Sequence, residues 1–191
     1  KHFVSKEALN IDGFGKKIVE KFWELKLVKF PQDIFNLDFE KIKEFDGWGD
    51  LSVSNLKYAI EKSKKISLDK FIYSLGIRHI GQENAKLLAQ HLKNFENFYK
   101  LLKIDDIENL LNIDGIGETQ IKSIRVFFSN KINLNILEKL NKSMKIFDAI
   151  STKKGGILNN KAFMFTGKLQ EISRAEAKSL VEQKSGKIIS N

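Results

Sequence analysis

The segment Ile11-Asp12-Gly13-Phe14-Gly15 has three counterparts further along the 191-residue chain. They are Phe45-Asp46-Gly47-Trp48-Gly49, Ile77-Arg78-His79-Ile80-Gly81 and Ile113-Asp114-Gly115-Ile116-Gly117. The final glycines of successive copies are 34, 32 and 36 residues apart. A single Gly-apolar-Gly segment would indicate no more than a helix end followed by a turn. Four copies at a nearly constant spacing indicate a repeated structural unit instead.

The repeat continues into the residues that follow each copy. Apolar residues stand four positions after the final glycines, at Val19, Val53, Ala85 and Ile121. They also stand seven positions after them, at Phe22, Leu56, Leu88 and Ile124. Positions four and seven lie on one face of a helix. Each copy is therefore predicted to be a turn that leads into a helix with one buried face.

The chemistry of such a turn favours an anion. Glycines permit a positive φ and leave no side chain over the backbone. The N–H groups at the start of the following helix then face outward, where the helix dipole also favours negative charge. A phosphate could approach closely enough to accept hydrogen bonds from them. Such contacts read no base, so the repeat predicts sequence-independent binding of nucleic acid.

The predicted phosphate contacts are the glycines of the turns and the basic residues beside them. The glycines are Gly13, Gly15, Gly47, Gly49, Gly81, Gly115 and Gly117. The basic residues are Lys16, Lys17, Arg78, His79, Lys86 and Lys122. For any one of these lysines, a solvated helix face is the alternative interpretation.

The second and third copies depart from the pattern. His79 replaces the first glycine of the third copy, where its side chain could either shield the backbone or contact phosphate itself. Asp50 follows the second copy and would repel phosphate, so we expect that turn to be mainly structural. The first and fourth copies are expected to bind phosphate best. Phe14 and Trp48 at the turn tips are expected to be buried rather than to contact a ligand.

The composition favours the same kind of partner. Lys and Arg number 33 against 24 Asp and Glu, a formal net charge of +9 at pH 7. This surplus favours nucleic acid, although a lysine-rich proteome would produce the same balance. The chain has no cysteine and only three scattered histidines, so neither disulfides nor a metal site are predicted. No apolar run is long enough to cross a membrane, and no membrane partner is expected.

Residues 1–150 alternate charged residues with Leu, Ile and Phe at helical spacing, which predicts an almost entirely helical nucleic-acid-binding domain. Pro31 is expected in the first turn of a short helix. The other predicted helices are Lys16–Leu25, Leu51–Lys65, Gln82–Leu92, Glu118–Ser129 and Leu134–Ser143. Residues 151–156 are polar with paired glycines, as is typical of a linker, and the linker is predicted over residues 151–160.

Residues 161–191 have a different pattern. A short apolar run at 162–167 predicts a strand, and residues 187–189 predict a second one. Between them, Ser173 is predicted to cap a helix that runs from Arg174 to about Gln183, with Glu176 completing a capping box. This unit is too small to form a stable sheet domain alone, so we expect a truncated α/β segment. The predicted fold class is thus mainly α, with four tandem helix-hairpin-helix motifs followed by that segment.

These residues resemble the helix-hairpin-helix domain of bacterial NAD-dependent DNA ligases. His2-Phe3-Val4-Ser5, with Ala8-Leu9-Asn10-Ile11-Asp12-Gly13-Phe14-Gly15, is similar to the stretch after that family's zinc finger. Leu75-Gly76-Ile77-Arg78-His79-Ile80-Gly81 is similar to the family's third hairpin, including its histidine. Phe165-Thr166-Gly167-Lys168-Leu169, with Ser173-Arg174, resembles the opening of the BRCT domain that ends these ligases. Residues 161–191 would then be the N-terminal part of a BRCT-like domain.

The resemblance implies a sequence-independent duplex-DNA-binding module of an enzyme that seals nicks in DNA replication and repair. The four motifs would form two paired units that grip both strands across the minor groove. In that family AMP passes from NAD to a lysine and then to the 5′-phosphate, before the 3′-hydroxyl closes the nick. The lysine lies in a Lys-x-Asp-Gly motif, which this sequence lacks. The segment alone is therefore expected to be inactive.

The chain begins with Lys1, so we expect it to be a piece of a longer protein. The resemblance implies NAD, Mg²⁺ and Zn²⁺ as cofactors of domains outside this chain, and none bound by the segment itself. It also implies nicked double-stranded DNA as the partner, a monomer, and a bacterial, cytoplasmic and nucleoid-associated location.

Other interpretations stay open at this point. The chain could be a helical protein-interaction scaffold in which the repeats are only turns, or a nuclease-associated repair protein with the same hairpins. A tetratricopeptide array has a similar period, but its expected Trp, Tyr and terminal Pro positions are missing. A dinucleotide fingerprint would need a strand before the glycines and a third glycine.

Overall fold

The structure is a computed structural model that describes residues 1–101, 107–149, 157–159, 161–167 and 169–189. Helices make up 58% of it, so the prediction of a mainly helical chain is confirmed. The α-helices are α1 (Lys16–Glu24), α2 (Phe39–Lys43), α3 (Asp50–Ser63), α4 (Leu68–Ser74), α5 (Gln82–Leu92), α6 (Phe95–Lys100), α7 (Glu118–Ser129), α8 (Lys131–Ser143) and α9 (Arg174–Gln183). Shorter 3-10 helices occupy His2–Val4, Pro31–Asn36 and Asn109–Asn112.

The helix bounds follow local capping. Helices α5 and α7 have the bounds predicted from the sequence. Helix α8 begins at Lys131, three residues before the predicted start at Leu134. The reason is Asn130, whose side chain accepts a hydrogen bond from the N–H of Ile132 at 2.9 Å and caps the helix. A capping residue one position before the helix therefore extends it beyond the apolar pattern.

Two short strands lie within the helical part and were not predicted. Strand β1 (Lys65–Ser67) pairs in parallel with β2 (Lys145–Phe147), with Ile66 opposite Ile146. The prediction of a helix that continues to Lys65 is therefore wrong, because the chain straightens after Ser63 to form β1. Three residues are too few to produce a recognisable alternation of apolar and polar side chains.

The core of the helical part is one continuous apolar cluster. Among the described residues it extends from Phe3 to Met144. Its largest members include Phe22, Phe71 and Phe98, whose side chains are fully buried. Aromatic edges meet aromatic faces inside it, as between Phe71 and Phe95, whose ring centroids are 5.7 Å apart. The cluster joins the helices that follow all four repeats, so the repeats share a single core.

The described residues 157–159, 161–167 and 169–189, which we call the tail, contain the predicted strand, helix and strand. Strand β3 (Ala162–Phe163) pairs in parallel with β4 (Lys187–Ile188), and both are shorter than predicted. The Ser173 hydroxyl accepts a hydrogen bond from the N–H of Glu176 at 3.0 Å, so the predicted cap of α9 is confirmed. The Glu176 carboxylate does not complete the capping box but reaches Nζ of Lys65 at 3.4 Å. Of the predicted linker, only residues 157–159 are among those described.

Two neighbouring aromatic residues on α1 provide a test of this core. Phe22 is fully buried, whereas Trp23 is 60% exposed. We expect Phe22→Ala to lower the free energy of unfolding by about 3–5 kcal/mol, because it leaves a cavity in the core. The control Trp23→Ala should change it by less than about 0.5 kcal/mol. Urea unfolding followed by circular dichroism measures both, and similar losses in the two variants would contradict the described packing.

Candidate nucleic-acid interface

Four turns of the same geometry lie where the sequence repeats. We name them turn 1 (residues 11–15), turn 2 (45–49), turn 3 (77–81) and turn 4 (113–117). In each, the N–H of the fourth residue donates to the carbonyl of the first at 3.0–3.1 Å, and the donors are Phe14, Trp48, Ile80 and Ile116. This hydrogen bond closes a tight turn of four residues. The fourth residue then points into the core, where Phe14 is 1% exposed and Trp48 is half-buried.

The third residue of every turn has a positive φ. The value is 77° at Gly13, 82° at Gly47 and 90° at Gly115. In turn 3 the same position is held by His79, with a φ of 61°. A residue with a side chain is sterically strained in this region. Turn 3 therefore keeps the shared backbone at the cost of strain, with its imidazole exposed on the surface.

The last glycine of each turn is the N-cap of the next helix. Gly15, Gly49 and Gly81 have extended backbones, with φ from −72° to −80°. The glycine carbonyls accept the first helical hydrogen bonds, from the N–H groups of Val19, Val53, Ala85 and, in turn 4, Ile121. The first N–H groups of α1, α3, α5 and α7 have no carbonyl of their own helix to bind, and the helix dipole is positive there. All four turns therefore present an anion-favouring helix start.

The surface over most of these glycines is open. A Cβ atom added at Gly13, Gly15, Gly47, Gly49 or Gly81 would meet no atom within 4 Å. The glycines at these positions therefore do not serve internal packing. At Gly13 and Gly47 the positive φ accounts for the glycine, but at the N-cap positions nothing inside the protein requires it. An external group that approaches the backbone closely would require it.

Turn 4 differs from the others in two contacts. A Cβ at Gly115 would lie 3.0 Å from Cδ1 of Leu87, so packing also restricts this position. The N–H of Gly117 donates to Oε1 of Gln120 at 3.1 Å. One of the donors that we expected to face a phosphate is therefore occupied by a side chain of α7. That turn 4 is among the best phosphate binders stays a prediction, with this N–H already bonded within the protein.

The turns lie in two pairs. Phe22 on α1 packs against Phe14 of turn 1 and Trp48 of turn 2, with ring centroids 5.5 and 5.4 Å apart. Nζ of Lys21 also donates to the carbonyl of Asp46 in turn 2 at 3.3 Å. The contact of Leu87 on α5 with Gly115 likewise brings turn 4 against the helix that follows turn 3. In each pair, the helix that follows the first turn also contacts the second turn.

The basic residues predicted beside the turns are all exposed. Lys16 and Lys17 follow turn 1, Arg78 and His79 lie in turn 3, and Lys122 follows turn 4. Their exposure leaves them accessible to a ligand.

Lys86 is exposed as well, but it lies in a different setting. It lines a cavity together with Glu182 of the tail, so a carboxylate of the same chain lies near it. Arg125, further along α7, is already paired with Glu108 at 2.6 Å.

Asp50 beside turn 2 has a cationic partner. Its carboxylate lies 3.3 Å from Nζ of Lys43, which also contacts Glu40 at 3.2 Å. The hydrogen bond with Glu40, followed by the one with Asp50, raises the pKa of Lys43. The negative charge at turn 2 is thus partly neutralised by a lysine that sequence reasoning did not single out. Its position seven residues before Asp50 across a turn gives no periodic signal.

The described residues lack the features of two other functional classes. Within the described ranges, no group of three or more His, Asp or Glu side chains is arranged to hold a metal ion. The resemblance implies Zn²⁺ only for domains outside this chain, and the chain has no cysteine that could ligate it. Nor does any helix in the described part combine the length and apolar character needed to span a membrane.

Comparison with known proteins finds sequences similar to this chain. A family model described as a helix-hairpin-helix motif matches residues 70–137, which contain turns 3 and 4. Over its whole length the chain is 65% identical to a protein named DNA ligase from Pelagibacter ubique, and it covers 28% of that protein. The chain is homologous to DNA ligases. It is also 43% identical, again over the whole of this chain, to the DNA ligase of Wolbachia pipientis, of which it covers 30%.

A third ligase, from Rickettsia bellii, is 42% identical over 98% of this chain and 29% of the ligase. The chain thus spans less than a third of the length of these DNA ligase relatives. The resemblance to DNA ligases read from the sequence is confirmed, and the chain corresponds to a segment of such a ligase.

The two glycines of turn 1 have different structural requirements. Gly13 needs a positive φ, whereas Gly15 is an extended N-cap, a position at which serine is favoured. We expect Gly13→Ser to lower the free energy of unfolding by roughly 1 kcal/mol through backbone strain. The matched variant Gly15→Ser should leave it within about 0.5 kcal/mol of the parent value. Chemical denaturation measures the free energy of unfolding of both variants. An equal decrease in the two would contradict the positive φ of Gly13 and the extended N-cap at Gly15.

Proposed function

We propose that this chain is a sequence-independent duplex-DNA-binding module of an NAD-dependent DNA ligase. The observation that carries the proposal is the backbone geometry shared by the four turns, each of which leads into an outward-facing helix start. The open surface over Gly15, Gly49 and Gly81 supports it, because a side chain at those positions would stand where a phosphate must approach. The homology to DNA ligases supports DNA as the polyanion that binds this surface.

All four turns are, in this proposal, helix-hairpin-helix motifs. Turns 1 and 2 form one unit around Phe22, and turns 3 and 4 form a second unit around α5. Each unit would bind the backbone of the duplex through main-chain N–H groups and through exposed cations beside the turns. The phosphate-binding residues would be Gly13, Gly15, Lys16, Lys17, Gly47, Gly49, Arg78, His79, Gly81, Lys86, Gly115, Gly117 and Lys122. None of these groups reads a base edge, so affinity would not depend on sequence.

The chemistry of nick sealing would be carried out elsewhere in the whole ligase. NAD and Mg²⁺ would supply the adenylate and the charge neutralisation for phosphoryl transfer, and Zn²⁺ would be structural, all outside this segment. The residues of this chain would bind and orient a nicked duplex. We further propose that residues 161–191 are the start of a BRCT-like domain, and that the protein acts as a monomer in the bacterial cytoplasm during replication and repair.

The salt dependence of binding tests the electrostatic part of the proposal. If about four to eight phosphates are contacted, the logarithm of the association constant should fall with the logarithm of salt concentration at a slope of roughly −4 to −7. Fluorescence anisotropy with a labelled duplex, titrated at several NaCl concentrations, measures the slope. Binding of equal strength at low and moderate salt would contradict phosphate recognition.

A pair of substitutions at Gly15 separates charge from shape. Asp and Asn are both good N-cap residues, so Gly15→Asp and Gly15→Asn should keep the stability of the helix. We expect Gly15→Asp to weaken DNA binding by about tenfold at low salt, because its carboxylate faces phosphate. Gly15→Asn should weaken binding less. Anisotropy titrations and thermal unfolding are measured on the same preparations.

The control adds the same charge at a helix start away from the turns. Asn130 is the exposed N-cap of α8, and Asn130→Asp should change DNA affinity by less than about twofold. If Gly15→Asp and Asn130→Asp weaken binding equally, only net charge matters and the proposed role of the turns is wrong. If neither variant of Gly15 affects binding, turn 1 is a structural turn, as in a protein-interaction scaffold.

A further inference from the structure

We propose that the face formed by α3, β1 and α4 is a docking surface for the tail of the same chain, and that polar contacts hold the tail there reversibly. The proposal does not depend on DNA binding, because none of its contacts involves a turn glycine. It concerns how the end of the chain is held relative to the helical part.

Helix α3 supplies two donors to the tail backbone. The Tyr58 hydroxyl donates to the carbonyl of Gln170 at 2.9 Å, and Nζ of Lys62 donates to the carbonyl of Leu169 at 2.7 Å. Residues four apart lie on the same helix face, so the two donors stand one turn apart. They bind two consecutive carbonyls just before the N-cap of α9. Because the acceptors are main-chain atoms, these contacts fix the position of the tail rather than a particular side chain of it.

Strand β1 adds a third contact in the same direction. Nζ of Lys65 lies 3.4 Å from Oε1 of Glu176, whose side chain is only 17% exposed. Glu176 belongs to the first turn of α9, and α9 packs against β1. The contacts at Tyr58, Lys62 and Lys65 thus follow one another along α3 and into β1. Together they align the start of α9 with the edge of the helical part.

The hydrophobic cores on the two sides of this interface are separate. The tail buries Ala177 and Val181, which lie four apart on α9. Neither belongs to the cluster that extends from Phe3 to Met144. A cavity of about 420 Å³ also lies between the two parts, and its lining includes Asp69, Lys86, Asp148, Glu182 and Lys187. An interface that is polar and incompletely filled resembles contacts between parts of a chain that move relative to one another.

One lysine at the interface opposes docking. Burial lowers the pKa of Lys70 on α4, as does repulsion from Lys178 on α9 and from Arg174, whereas Asp69 and Glu182 act in the opposite direction. Among the described residues, no carboxylate lies within ion-pair distance of its ammonium group. Lys70 is half-buried, and a charge that is partly removed from water without a close partner costs free energy. Lys62 and Lys70 therefore have opposite effects, since Lys62 has a short hydrogen bond to the tail and Lys70 has none.

The absence of cysteine makes a direct test practical. Asn55→Cys on α3 and Gln183→Cys at the end of α9 replace two exposed residues and allow two nitroxide labels in the 191-residue chain. Pulsed electron-electron double resonance then gives the distribution of distances between the two nitroxide labels. We expect one narrow population in the parent chain. Thermal unfolding of every variant confirms that the helical part remains folded.

Matched substitutions give the decisive comparison. Lys62→Met keeps the aliphatic stem but removes the donor, and should lower the ratio of docked to undocked chains about tenfold. Combination with Tyr58→Phe should lower it further and broaden the distribution visibly. Lys70→Met removes the unpaired charge and should raise the same ratio by about threefold or more, both alone and in the combined variant.

Any one of four results would overturn the proposal. One is a broad distribution of distances in the parent chain. Another is an unchanged distribution in the Tyr58→Phe and Lys62→Met double variant, or further broadening when Lys70→Met is added to it. The last is a narrow population that disappears when labelled chains are refolded with an excess of unlabelled ones, since this would mean that the tail docks on a second copy.

Discussion

The hydrogen bond between the first and fourth residues of each turn is the constraint on which the helical part depends. It reverses the chain within four residues, so that apolar side chains on both sides of the bend enter one core. Ile11 and Phe14 in turn 1, and Ile77 and Ile80 in turn 3, are all buried in this way. The same bend places the following glycine at the start of a helix, with its backbone outward. One backbone geometry therefore serves the stability of the core and the exposure of an anion-favouring surface.

The four turns share this geometry but differ in what surrounds them. The sequence favours turns 1 and 4 as the binding turns, but in the structure the N–H of Gly117 in turn 4 is occupied by Gln120. The negative charge expected to weaken turn 2 is shared with Lys43. Turn 3 accepts the strain of a left-handed His79 with an exposed imidazole. The turns thus differ in contacts made by single side chains, such as Gln120 with Gly117 and Lys43 with Asp50, which the repeat pattern does not show.

The repeated part of the fold was predictable because its determinants are local. Glycine positions, N-caps and apolar residues at helical spacing specify the turns and predict the bounds of α5 and α7. The pairing of the turns through Phe22 and Leu87 could not be predicted from the sequence, because it depends on the angles at which the helices pack against one another. Strands β1 and β2 were missed because each is short and its partner lies about eighty residues away. The half-formed capping box had a similar cause, since a distant partner, Lys65, attracts the carboxylate of Glu176.

The pairing of β1 with β2 has a consequence for the order in which the chain can fold. The four turns and their helices need only nearby residues, whereas the strand pair must close a long loop and pay the entropy of doing so. Strand β1 contacts both β2 and α9. The backbone N–H of Lys145 donates to the carbonyl of Lys64, the residue before β1, at 2.7 Å. The surface that receives α9 is therefore complete only after the chain has returned to this edge. Synthesis from the N-terminus suits this order, because the tail is made after all the elements that form the surface on which α9 packs.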